Sequence, residues 1–194
     1  MTRKAHLLLH PSAFEKFMNH TAALWSGGPG KELTERDYTV MALGLPGEFG
    51  ELVEELQRPA LHREDFVKEA GDTVYYLGRI AHAFAISAKD LLSPAQPLPS
   101  LILASNEGVA LQAVRGIGQV CEAMKKRTRD GFADEQARLR FENKLRCGLA
   151  LALQAWLELL NRANVAPSEV LETNLAKLHD RRQRGTLQGD GNHR

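Results

Sequence analysis

Two acidic pairs stand out in the first half of the chain. Glu48 and Glu51 are three residues apart, and so are Glu69 and Asp72. On a helix that spacing puts both carboxylates of a pair on one face, a turn apart. Leu45, Leu52, Val53, Leu56, Val74 and Leu77 recur at helical intervals around them, so both segments read as helices packed on a core. Carboxylates turned inward are costly unless a cation sits among them. Hard oxygen ligands suit Mg²⁺, with Mn²⁺ as the alternative. The pattern therefore reads as a carboxylate cage for a divalent metal, with Glu54 one turn on as a further ligand or a support. The competing reading is a solvated acidic face with i,i+4 partners, which suits Glu54, Glu55 and Glu64. Gly50 and Gly71 each cost a helix about 1 kcal/mol against alanine. Their presence suggests close approach by another helix or a ligand.

The elements that would position these residues follow from the rest of the chain. Residues 12–24 read as a helix with Ser12 as its cap and Glu15 completing a capping box. Trp25-Ser-Gly-Gly-Pro-Gly30 is a break, and Trp25 is a core or lid residue or a base-stacking one. Residues 33–57 carry the first acidic pair, with a start or bend at Pro46. Residues 63–86 carry the second. Tyr76, four residues after Asp72, lies on the same face. Three prolines within Ser93-Pro-Ala-Gln-Pro-Leu-Pro-Ser100 make a linker. Two further helices are expected over about 102–127 and 136–163, with Trp156 in the core of the second.

The second half reads as a worn copy of the first. Val114-Arg-Gly116-Ile-Gly118-Gln119 lies over Pro46-Gly-Glu48-Phe-Gly50-Glu51, and Asn164-Val-Ala-Pro-Ser lies over Ala85-Ile-Ser-Ala-Lys. Glu48, Glu51, Glu69 and Asp72 then face Gly116, Gln119, Gly148 and Leu151, so the acidic ligands are lost from the copy. The alternative is that helical periodicity alone produces the match. The expected organisation is one all-α unit: residues 1–92 as the acidic half, 101–173 as the degenerate half, and 174–194 as a basic tail. That tail is either a frayed terminus or a segment that closes over phosphate. The run Lys125-Lys-Arg127-Thr-Arg129 is either charge suited to a helix C-terminus or a wall of cations facing a polyphosphate.

Composition narrows the classes. A chain of 194 residues with net charge +1 gives no global electrostatic case for nucleic acid or membrane binding. Cys121 and Cys147 form neither a disulfide framework nor a zinc pattern, and the expected compartment is a reducing cytoplasm. No stretch approaches the ~20 apolar residues of a membrane span. No glutamate is followed three residues later by histidine, which argues against a di-iron bundle.

Ala42-Leu43-Gly44-Leu45-Pro46-Gly47-Glu48-Phe49-Gly50-Glu51-Leu52 and Glu69-Ala-Gly-Asp72-Thr-Val-Tyr-Tyr76-Leu together resemble the two acidic signatures of the MazG-like, all-α nucleoside triphosphate pyrophosphohydrolases. Asn174-Leu-Ala-Lys177-Leu-His-Asp-Arg181 is similar to that family's closing motif, and Pro46 departs from its usual pattern. The resemblance implies a helical bundle that binds Mg²⁺ through Glu48, Glu51, Glu69 and Asp72. It implies release of pyrophosphate and a monophosphate from a nucleoside triphosphate, with Glu48 or Glu51 as the base. Asn174, Lys177, Arg181, Arg184, Tyr76 and Trp25 would contact the substrate. It also implies a homo-oligomer, a dimer or a tetramer. The tail resembles that of phage members of the MazZ type, which favours a purine such as dGTP. A dUTP or dCTP pyrophosphatase and a non-catalytic nucleotide-binding protein are the alternatives.

Overall fold

The computed structural model describes residues 8–25, 32–93 and 105–186. Among these the chain is entirely helical. Its seven helices are α1 (Pro11–Leu24), α2 (Glu35–Gln57), α3 (Arg63–Ala83), α4 (Ala88–Leu92), α5 (Asn106–Asp130), α6 (Glu135–Ala163) and α7 (Pro167–Gln183). The linker expected over 93–100, apart from Ser93, and the Gly-rich tail from 187 lie outside the described residues, as does most of the break after Trp25.

Local chemistry explains most boundaries. Thr34 and Asp37 form a reciprocal capping box at the start of α2. Ser87, Ser105 and Asp134 cap α4, α5 and α6 through their side chains. At α1 the expectation of a Ser12 cap is corrected. Pro11 takes the first helical position, where its missing N–H costs nothing, and His10 accepts from the Ser12 amide instead. Glu15 does not complete a box there. It reaches across to accept from the Ala88 amide and so caps α4.

Pro46 neither starts nor splits α2, which runs through it. Proline has no N–H to offer the carbonyl four residues back, that of Ala42. The Cys121 thiol on α5 points at that carbonyl, 3.3 Å away, and supplies a weak donor in its place.

α2 and α3 form one hairpin and α5 and α6 another. α2 packs on α5, and α3 packs on α6. Arg127 reaches Glu35 while Cys121 reaches Ala42, so α2 and α5 run antiparallel. The helix after each hairpin crosses to the other one: α4 packs on α6 and α7 on α3. Both crossings begin in the same way. Ala85 (φ 53°) and Asn164 (φ 54°) are left-handed, and the next amides, Ile86 and Val165, each bond the carbonyl five residues back at 2.9 Å. A single core runs through both hairpins. Trp156 lies wholly inside it, and its indole N–H donates to the Ala70 carbonyl at 3.0 Å. That bond ties α6 to the turn of α3 lying between Glu69 and Asp72.

Candidate functional site

The α2–α3 hairpin brings the acidic residues together. Glu48, Glu51 and Glu69 each present an oxygen within 4.8 Å of the others. Glu51 is exposed, Glu48 half-buried and Glu69 buried, so the group grades from solvent into the core. Asp72 stands beside this trio and faces α7. Lys177 Nζ lies 2.5 Å from its Oδ1, and Asn174 Nδ2 donates to the same oxygen at 3.0 Å. The α7 helix comes this close because Gly71 has no side chain. A Cβ there would stand 3.0 Å from the Asn174 Cβ. Gly50, the other glycine singled out from the sequence, meets nothing within 4 Å of such a Cβ and faces solvent. Asn174 is itself buried, and its Oδ1 has no hydrogen-bond donor. It is an acceptor left open beside the carboxylates.

The electrostatics record the crowding. Burial, reinforced by the charges of Asp72, Glu51 and Glu69, pushes the Glu48 carboxyl up to about 7, while Lys177 pulls it down. The folded protein therefore holds a proton on Glu48 that the unfolded chain releases near 4.5. Stability supplied by that proton is lost as pH rises between those two values. In EDTA, Glu48→Gln is expected to leave stability at pH 5 nearly unchanged. At pH 8 it should raise stability by about 1–3 kcal/mol. Urea unfolding at the two pH values measures the difference, and an equal effect at both would contradict it.

Tyr76 borders the trio. Its ring lies against α2 at Gly44, one turn before Glu48, where a Cβ would stand 2.4 Å from the ring. Burial and the charges of Glu48 and Asp72 raise its phenol. Tyr75 and Trp25 continue the wall, with ring centroids 6.0 Å apart. The Trp25 indole donates to Asp37 at 2.8 Å, so Trp25 is fastened to the first turn of α2. Arg181 is half-buried, and its charge acts on Tyr75. Arg184 is exposed and paired with Asp180 at 2.5 Å, and Glu54 is exposed and outside the trio.

Some charged residues behave otherwise than expected. Glu55 is buried rather than solvated and pairs with Arg58 at 2.8 Å. Arg79 is 2% exposed, with its guanidinium 5.1 Å from the Trp25 ring, and burial lowers its pKa. The sequence holds no signal for either beyond their helical phase with core residues. The basic run from 125 to 129 does not face the carboxylates. Arg127 grips Glu35, and thirteen residues of α2, about 20 Å of helix, separate Glu35 from Glu48. The reason is the antiparallel course of α5 along α2.

The donor set suits a hard divalent cation: three carboxylates converge, a fourth lies adjacent, and among the described residues no sulfur or imidazole joins them. No protein-family model matches the chain, nor does any curated protein or solved structure. Among the described residues, no helix is long and apolar enough to cross a membrane.

Proposed function

We propose that the protein hydrolyses a nucleoside triphosphate to the monophosphate and pyrophosphate. The carrying observation is the convergence of Glu48, Glu51 and Glu69 beside an Asp72 that α7 holds through Lys177 and Asn174. The resemblance of these segments to the MazG-like pyrophosphohydrolases supplies the reaction.

Glu48, Glu51, Glu69 and Asp72 would hold Mg²⁺ or Mn²⁺. When bound, the metal screens phosphate charge and acidifies water. The chain's own residues do the rest. Glu51, the most exposed of the trio, or Glu48 takes the proton of the attacking water. Lys177 and Arg181 lie on one face of α7 at i,i+4, where they neutralise the departing pyrophosphate. The open carbonyl of Asn174 accepts from a sugar hydroxyl or a base N–H, either of which relieves a buried acceptor without a partner. Tyr76 shapes the side of the sugar, and Trp25 and Tyr75 build the wall behind it. A purine deoxynucleotide such as dGTP is the favoured substrate within this reading.

The second hairpin fits a silent copy of the first. Gly116, Gln119, Gly148 and Leu151, the counterparts of the four acids, meet where α5 crosses α6. A Cβ on Gly116 would stand 2.6 Å from the Gly148 carbonyl and 3.0 Å from the Leu151 Cβ, and one on Gly148 would stand 3.0 Å from the Gln119 Cβ. The paired left-handed residues and the reciprocal packing of α4 and α7 support the same reading. A chain of this kind builds both halves of a bundle and carries one metal cluster.

The test is a panel of the eight common nucleoside triphosphates with Mg²⁺ and then Mn²⁺, following pyrophosphate and monophosphate separately. Metal-dependent appearance of both products from one or two nucleotides is the expected result. Release of orthophosphate, or no metal-dependent product, overturns it.

A further inference from the structure

The far end of the α5–α6 hairpin holds a cavity that the proposed reaction does not use. Its volume is about 410 Å³, within the range of small-molecule sites. It lies where α5 ends at Gly131 and α6 begins, near Arg127 and so about 20 Å of α2 from the carboxylates. Its lining combines two chemistries. Phe132 and Phe141 form an aromatic floor, their ring centroids 5.1 Å apart, and Phe132 is 42% exposed. Around it stand Lys126, Arg140 and Lys144.

These cations are not consumed by the fold. Among the described residues, neither Arg140 nor Lys144 has a carboxylate within ion-pairing distance, and Lys126 has only a loose contact with Glu122 at 3.6 Å. The fourth cation, Arg127, is spent. It holds both oxygens of Glu35 at 2.9 and 3.0 Å and stacks on Tyr38 at 4.0 Å, so it serves as a fixed wall. The one acid in the lining, Asp130, is engaged by Arg129 at 2.6 Å. Arg140 and Lys144, without an ion pair, and Lys126, held only loosely by Glu122, leave positive charge standing around an aromatic surface. Their joint complement is a small anion with a flat ring: phosphate to the cations and ring to the phenylalanine.

We infer that this cavity is a second ligand site, and that it takes a nucleotide through its phosphates on Lys126, Arg140 and Lys144 and its base on Phe132. The inference does not rest on the proposed hydrolysis, because the two sites share no residue.

The probe is mant-ADP, titrated into the full chain in EDTA so that the carboxylate site is without metal. Binding is expected in wild type. Lys126→Glu combined with Arg140→Glu should weaken it at least tenfold. Both residues are exposed, and far-ultraviolet circular dichroism checks that the variant folds. Phe132→Ala should weaken it several-fold, while Glu69→Gln leaves it unchanged. Unlabelled ADP should compete better than pyrophosphate. The inference is overturned by no binding in EDTA, by binding that survives the double charge reversal, or by binding lost in Glu69→Gln. Equal competition by pyrophosphate, or much tighter competition by a single-stranded oligonucleotide, also overturns it, since the site would then read phosphate alone or a nucleic-acid backbone.

Discussion

Glu69→Gln is expected to reduce metal-dependent pyrophosphate release at least ~1,000-fold, a loss of about 4 kcal/mol of transition-state stabilisation. The substitution keeps the shape of the side chain and removes only its charge. Glu69 is the buried member of the trio, so it has the least freedom to be replaced by a neighbour or by water. The same change should make the metal-free protein more stable. Glu69 is one of the three carboxylates whose charge holds the Glu48 carboxyl up, and removing it relieves that repulsion. A variant more stable in EDTA and inactive with Mg²⁺ cannot be explained by misfolding. Glu54→Gln, at an exposed position outside the trio, is the control and should change turnover less than twofold. Turnover within tenfold of wild type in Glu69→Gln would remove the carboxylate cluster from the chemistry.

Gly116→Ala is expected to destabilise the protein by about 3 kcal/mol, among the largest effects available from a single methyl group. The new Cβ would stand 2.6 Å from the Gly148 carbonyl oxygen and 2.7 Å from the Ala152 amide nitrogen. Both are backbone atoms inside α6, so no rotamer change relieves the clash and the two helices must part. Gly47→Ala and Gly118→Ala test the converse. A Cβ at either position meets nothing within 4 Å, so these changes should stabilise by ~0.5–1 kcal/mol through helix propensity alone. Urea midpoints of the three variants decide the matter. A Gly116→Ala protein as stable as wild type would mean that α5 and α6 cross less closely than described.

The acidic site was legible because its signal is local. A three-residue spacing beside apolar residues places carboxylates on a helix face, and the structure brings Glu48, Glu51 and Glu69 together on that basis. What escaped is what depends on the packing of distant elements. The ion pair of Lys177 with Asp72 spans 105 residues, and no spacing argument reaches that far. Gly50 and Gly71 look alike in sequence, yet only Gly71 lies under α7. Glu55 and Arg79 are buried charges in helices whose other acidic and basic residues mostly face water. Of the two readings of the cations from 125 to 129, charge suited to the end of α5 holds, with Arg127 and Arg129 in its last turn, while the wall facing a polyphosphate does not, because helix direction within a bundle is not encoded in a charge run. At α1 the competing choice was local: proline at the first helical position outranked a serine cap.

The bond between α7 and Asp72 also bears on how the protein is made. A ribosome adds about 5–20 residues per second, so Asp72 emerges some 5–20 s before Lys177. Through that interval the acidic hairpin can form, yet it lacks its counter-ion, and α3 lacks the helix that covers Gly71. The second hairpin is no more self-sufficient, since α6 is covered by the earlier α4. Neither half therefore closes on its own product of synthesis. A chain halted before α7 carries the acids of the site without the cation that holds Asp72. The acidic cluster gains its full set of neighbours only when the seventh helix has docked, so the proposed hydrolysis would belong to chains that have been read through at least that far.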